Sequence, residues 1–354
     1  MKKTVFLFIG LTFALMVSAQ PANYYNSANG LTGNQLKMAL HNIIKGHTSI
    51  SYAQLWNAFW STDNKGNGVV WDMYSDKPNG NPPYIYHLGQ DQCGQYDSEG
   101  DCYNREHSWP SSWFNDQSIP RSDLHHIFPV DGYVNNKRGN NAFGEVGAAS
   151  WTSRNGSKLG TCKTPGFSGT VFEPIDAYKG DFARALMYMS VRYYSEDGGW
   201  GSSDMTNKSE IKQWAINMLM RWNEQDPVSE KEKERNETIY NDYQRNRNPF
   251  VDHPEYARMI WDPTWSAVDD NLDEAVYLFP NPIERGQTLH VSGNSSQFDA
   301  VAICDLCGRT LLKATGHTVS NFAVTLPNDL AKGCYIVKLM RNGTVVKYQK
   351  LLVK

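Results

Sequence analysis

Three stretches in the first two-thirds of the chain place apolar residues at helical spacing. They are residues 36–44 (LKMALHNII), the set Phe182, Ala185, Leu186 and Met189 followed by Tyr193, and the set Ile211, Trp214, Met218, Leu219 and Trp222. Apolar residues three and four apart share one helix face, so each stretch predicts a helix with that face in a core. A fourth helix starts at Ser229, where Glu232 three residues on completes a capping box and the charged run 230–237 supplies a solvated face. Beyond residue 276 the period changes. Short apolar runs at 288–291, 300–303, 323–326 and 335–339 alternate with Gly, Asn and Pro turns, and Asn342-Gly343 is a strong hairpin signal. The expected fold class is α+β. A mixed helical domain covers residues 20–265, an acidic linker 266–275, and a small all-β sandwich of immunoglobulin-like type 276–354.

Residues 1–19 read as a signal peptide. Lys2 and Lys3 precede an apolar stretch at 5–17, and Val17-Ser18-Ala19 offers a small-residue cleavage site before Gln20. Thirteen apolar-dominated residues are too few for a bilayer core that needs about 20. Export is therefore expected, and it places the six Cys in an oxidising setting. Cys93 and Cys102 bracket a Gly/Asp-rich loop, the preferred disulfide pairing. Cys304 and Cys307 have CxxC spacing without a second pair or a nearby His, and the partners of Cys162 and Cys334 stay open. An aromatic content of 12% excludes a largely disordered chain. With a net charge of −3 and a pI near 6.3, any nucleic-acid binding must come from a local patch.

Unusual chemistry concentrates between residues 104 and 141. Glu106 and His107 are followed by Asp123, His125 and His126, then by Asn135, Lys137 and Arg138. Hard oxygen donors such as Glu106 and Asn135 suit Mg2+, Mn2+ or Ca2+ better than zinc. A histidine beside them can act as general base toward a water, and Lys137 and Arg138 offer charge to a phosphate. That set meets the needs of phosphodiester hydrolysis: a deprotonated water, a stabilised anionic transition state and a neutralised leaving oxygen. HExxH and GxSxG are both absent, which argues against a zinc metalloprotease and against serine acyl transfer. On residue types alone, a divalent-metal hydrolase, a zinc site and a purely structural polar cluster all stay open.

The same residues resemble the bacterial endonuclease I family of ββα-metal (His-Me finger) nucleases. The resemblance is carried by Asn104-Arg105-Glu106-His107 with Trp109-Pro110, Asp123-Leu124-His125 with Pro129, Gly132-Tyr133-Val134-Asn135 with Arg138 and Asn141, and the ending NRNPFVD at 246–252. It spans about residues 25–262. It implies that His107, at the end of the first finger strand, is the general base. Glu106 and, on the following helix, Asn135 would bind Mg2+, with Mn2+ or Ca2+ as alternatives. Arg138 is a catalytic candidate that contacts phosphate or holds the finger together. Asp123 and His125 would sit on the second strand and orient the finger. Arg121, by position, and Lys137, by charge, are further candidates for binding DNA phosphate. His126 is not matched by the family and reads as a packed or surface histidine.

The implied protein is a secreted, monomeric, metal-dependent and non-specific endonuclease acting on DNA, with RNA as a second substrate. Between residues 101 and 163 seven basic residues face six acidic ones, so binding should be modest, salt-sensitive and dominated by phosphate contacts. Two other readings remain: a finger that has lost catalysis and serves as a nucleic-acid-binding or adhesive module, and a phosphodiesterase for small nucleotides. Residues 276–354 resemble the C-terminal sorting domain of type IX secretion cargo. The carrying segments are Leu278-Phe279-Pro280-Asn281-Pro282, the turn at 305–309, Gly333-Cys334-Tyr335-Ile336-Val337-Lys338-Leu339 and the ending at 350–354. This implies an export address read by outer-membrane machinery, and a final location outside the cell or on its surface. A carbohydrate-binding sandwich is the alternative, although Tyr277, Tyr335 and Tyr348 are few aromatics for one.

Overall fold

In the computed structural model the described residues are 20–262, 277–292, 299–305, 308–315, 321–341 and 344–354. The segments expected to be a signal peptide (1–19) and a linker (266–275), Cys307 and the expected Asn342-Gly343 turn lie outside them. The chain divides into two compact units between Pro263 and Thr264.

The first unit opens with helices α1 (Gly33–Ile44) and α2 (Leu55–Thr62), followed by strand β1 (Tyr103–His107), strand β2 (Ile127–Asp131) and helix α3 (Gly132–Arg138). A four-stranded sheet comes next, built from β3 (Ala142–Phe143), β4 (Val146–Thr152), β5 (Lys158–Cys162) and β6 (Thr170–Glu173) in the order β3-β6-β5-β4. Helix α4 (Lys179–Arg192), a short hairpin of β7 (Thr206–Asn207) and β8 (Glu210–Ile211), and helices α5 (Gln213–Gln225), α6 (Glu230–Thr238), α7 (Pro249–Asp252) and α8 (Tyr256–Trp261) complete it. The apolar stripes read from the sequence lie in α1, α4 and α5. At Ser229 both hydrogen bonds of the capping box form with Glu232.

Helix α4 departs from a simple amphipathic pattern: every residue from 180 to 192 is buried. Its arginine at 184 tolerates this because it finds a partner inside. Arg184 donates through Nε and Nη2 to the two carboxylate oxygens of Glu232, at 2.6 and 2.9 Å, as a buried charge requires. The sheet carries little sequence signal. Its edge strand β4 has a mostly exposed Gly/Ala/Ser-rich stretch with no alternation, and β3 is two residues long.

The second unit has two antiparallel sheets. One has the order β13-β10-β9 and the other β12-β11-β14-β15. Their ranges are β9 (Tyr277–Phe279), β10 (Thr288–Ser292), β11 (Ala300–Cys304), β12 (Thr310–Thr315), β13 (Asn321–Thr325), β14 (Gly333–Arg341) and β15 (Thr344–Val353). Alternate residues enter one core: Leu289 and Val291, Val301 and Ile303, Tyr335, Val337 and Leu339, Leu351 and Val353. This is the period-two burial of a strand with one face covered.

Candidate active site

Strands β1 and β2 pair antiparallel, with Glu106 opposite Phe128 and His107 opposite Ile127. Helix α3 follows β2 without a loop, because Asp131 ends the strand and caps the helix, its Oδ1 accepting from Val134 N at 2.7 Å. Asp131 Oδ2 accepts from the Tyr86 hydroxyl at 2.6 Å and from Gly100 N at 2.9 Å. Gly100 belongs to the loop that the Cys93–Cys102 disulfide closes, and Cys102 O accepts from Gly132 N at 2.9 Å. Gly132 is required here by close approach: a Cβ would fall 2.6 Å from the Tyr96 ring. The disulfide loop thus lies directly on the first turn of α3.

From that anchored start, α3 turns its side chains onto β1. Asn135 Nδ2 donates to Arg105 O at 3.3 Å. Arg138 donates through Nη1 to Glu106 Oε1 at 3.1 Å and to His107 O at 2.9 Å, and through Nη2 to Ser108 O at 2.8 Å. Glu106 and Asn135 therefore border the same end of β1. Glu106 is 2% exposed, and Oε1 also accepts from the Tyr74 hydroxyl at 2.8 Å. Among the described residues Oε2 of Glu106 and Oδ1 of Asn135 accept no hydrogen bond. Burial pushes the Glu106 carboxyl up to about 7, against the opposing pull of Arg138 and Tyr74. A carboxylate oxygen and an amide oxygen, both unused, fit a hard cation that keeps most of its waters. Among the described residues no group of three or more His, Cys, Asp or Glu side chains is placed to hold a metal.

His107 ends β1 with its ring half-buried. Its Nε2 lies 3.1 Å from Arg121 O. A carbonyl can only accept, so Nε2 carries the ring proton and Nδ1 keeps its lone pair. Tyr52 stacks on the ring at 5.9 Å between centroids and 21° between planes, and His126 stands 5.6 Å away. Burial first, and then the charges of His126 and Arg121, hold the imidazole down to about 3. It is neutral at neutral pH.

Of the two roles expected of Arg138, the structure supports holding the finger together: it is 1% exposed, and both of its amino groups are committed to Glu106 and to main-chain carbonyls. Two other expectations need relocation. Asp123 and His125 are not on the second strand. They lie in a 3-10 turn at Leu124–His126 just before it, which Asp123 caps by accepting from His125 N. The turn is drawn inward because Asp123 Oδ2 accepts from the hydroxyls of Tyr188 (2.8 Å) and Tyr193 (2.9 Å), while His125 Nε2 meets Asn246 O at 3.1 Å. Burial works to raise the Asp123 carboxyl, yet His47, His125, His126 and Gln244 together hold it well below the usual carboxylate range. Arg121 is exposed, its guanidinium 4.7 Å from the Tyr52 ring centre. Lys137 is half-buried over Tyr133 at 5.1 Å.

The sequence reading missed Tyr52, Tyr74 and Gln244, and gave no role to Asn246, which opens the NRNPFVD segment. Gln244 ends a π-helical turn at Ile239–Gln244. It accepts from Leu124 N at 2.6 Å and donates to Asp123 Oδ1 at 2.9 Å, clamping the turn that leads into β2. A π-turn often marks such a site, but nothing in local spacing announces one.

His126 is fully buried, with Nε2 on Pro120 O at 2.7 Å and Nδ1 without a partner. Burial holds it down to about 4, against about 6.5 in an unfolded chain. A histidine depressed by folding contributes stability that is complete above pH 6.5 and drains as pH falls toward 4. His126→Gln should therefore lose about 2 kcal/mol less stability than the parent between pH 7.5 and 5. Urea titrations at the two pH values measure it; an equal loss in both proteins would contradict the buried neutral state.

The chain matches the Endonuclease I family over residues 32–255 and the secretion system C-terminal sorting domain over residues 277–354. It is 41% identical over 256 residues to an extracellular ribonuclease of Bacillus amyloliquefaciens, covering 69% of this chain and 80% of that one. It is 38% identical over 273 residues to an extracellular ribonuclease of Bacillus subtilis (strain 168), covering 71% and 84%. The sorting domain marks the protein for secretion, and among the described residues no helix is long and apolar enough to cross a membrane. With His107, Glu106 and Asn135 gathered at one end of a strand pair, the chain belongs to the Endonuclease I family and is a secreted nuclease.

Proposed function

We propose that the protein is a metal-dependent endonuclease that hydrolyses phosphodiester bonds in both DNA and RNA without sequence preference. The observation that carries this reading is the contact of His107 Nε2 with the Arg121 carbonyl. It fixes the tautomer that leaves Nδ1 able to take a proton from an attacking water, one residue along β1 from a carboxylate with an unused oxygen. Glu106 through Oε2 and Asn135 through Oδ1 would hold a hydrated Mg2+, which when bound supplies charge neutralisation at the phosphate and the leaving 3′-oxygen. Arg138 and Tyr74 occupy Oε1 and so keep Oε2 turned to that task. The exposed Arg121 guanidinium offers paired N–H donors to a phosphate oxygen.

Each of these groups addresses phosphate, water or leaving oxygen, and none is placed as a reader of base edges or of a 2′-hydroxyl. That supports cleavage of both polymers, as do a family named for an endonuclease and relatives named extracellular ribonucleases. The test is degradation of plasmid DNA and of a long RNA by the mature protein. Both should disappear with Mg2+, survive in EDTA, and be degraded again once Mg2+ is restored in excess. Cleavage that persists in EDTA would end the metal-dependent reading. Retention of DNA without nicking would favour a binding module instead.

A further inference from the structure

The strongly buried arginines Arg138, Arg184, Arg235 and Arg247 each have a carboxylate partner, Glu106, Glu232, Asp63 and Asp252. The partly buried Arg105 differs. Its guanidinium is half-buried, 3.7 Å from the Tyr52 ring centre and 4.4 Å from that of Trp56. It donates through Nη1 to Tyr52 O at 3.0 Å, and Nε is buried without a partner. Among the described residues no carboxylate pairs with it. Arg121, the second guanidinium near Tyr52, likewise has no carboxylate partner among them. Two positive charges without a carboxylate partner, both packed against the Tyr52 ring, make a local positive field that attracts an anion.

We propose that Arg105 and Arg121 form a two-guanidinium site for one backbone phosphate of the nucleic-acid substrate, next to the phosphate that is cleaved. The proposal rests on the nuclease reading above and adds a second point of attachment. The aromatic rings of Tyr52 and Trp56 flank the Arg105 guanidinium, so its remaining reach is through edge N–H groups, which match phosphate oxygens in pairs. A base stacked on the same plane would have to displace one of those rings. Along β1 the side chains of residues 105 and 107 leave on the same face, while Glu106 leaves on the other. Arg105 and His107 are thus about 6.6 Å apart along the strand and both touch Tyr52. That is the scale of one backbone step from the phosphate at the base to its neighbour. Tyr52 is a positioning residue for both.

The experiment compares full-length parent and Arg105→Gln proteins on long duplex DNA, on long RNA and on bis-p-nitrophenyl phosphate, which carries a single phosphodiester. On both polymers the variant should show a KM raised about tenfold with kcat within about threefold, and a log–log salt dependence shallower by about one. The single diester should change by no more than about twofold. Arg105→Lys, which keeps the charge, should recover most of the salt slope. If Arg105→Gln does not fold, Arg121→Gln, at an exposed position, should show the same flattened slope on the polymers. An equal loss on the single diester and the polymers would overturn the second-phosphate site, since Arg105 would then be acting through His107. An unchanged salt slope would overturn it too. A parent protein that cleaves none of the substrates would refute the nuclease reading instead.

Discussion

Alanine at position 107 should lower kcat on plasmid DNA and on RNA by about 10²–10⁴-fold, the usual contribution of a general base. The imidazole is neutral at working pH because burial, His126 and Arg121 hold it down to about 3, and its only proton is engaged by the Arg121 carbonyl. Alanine removes the lone pair without unpairing a buried charge. The ring is half-buried, so thermal stability should change by about 1–2 kcal/mol at most. KM should stay within a few-fold, since His107 acts on the water and not on the backbone. Steady-state kinetics alongside a urea titration read both quantities. Full activity in a folded variant would remove His107 from the mechanism.

Arg138→Met should cost about 3–5 kcal/mol of stability, the range for breaking a buried ion pair by deleting one partner. The variant leaves Glu106 buried without its cation and leaves the carbonyls of His107 and Ser108 without donors. The folded fraction should also lose most activity, because Oε1 of Glu106 would keep only the Tyr74 hydroxyl and the carboxylate would be free to turn. Urea denaturation of Arg138→Met, Glu106→Gln and the double variant closes a thermodynamic cycle. The double variant should be more stable than the sum of the singles predicts, by about 1–3 kcal/mol. Additive losses would show that the guanidinium and the carboxylate do not interact, and the positioning role of Arg138 would fall with them.

Local sequence was informative wherever one element had one job. Helices α1, α4 and α5 follow their apolar stripes, α6 begins at its capping box, and the strands of the second unit alternate as their residues do. The Cys93–Cys102 loop closes as its spacing suggested. The four-stranded sheet of the first unit was not legible, because an exposed edge strand of Gly, Ala and Ser carries no period. Asp123 and His125 are expected on the second strand because the family resemblance implies it. Their placement in a turn depends on Tyr188 and Tyr193 of the α4 region and on Gln244, which lie 65 or more positions away in the chain.

From the chain alone came the candidate base, the candidate cation ligands and the two-part organisation, since each is a matter of residue type and order. Only the folded molecule could decide that Arg138 turns inward, that Arg121 offers His107 its carbonyl, and that Arg105 lies between Tyr52 and Trp56 with no carboxylate partner among the described residues. The physical reason is the same in each case. A charged side chain takes its role from what surrounds it after burial, and those neighbours are assembled from segments distant in sequence.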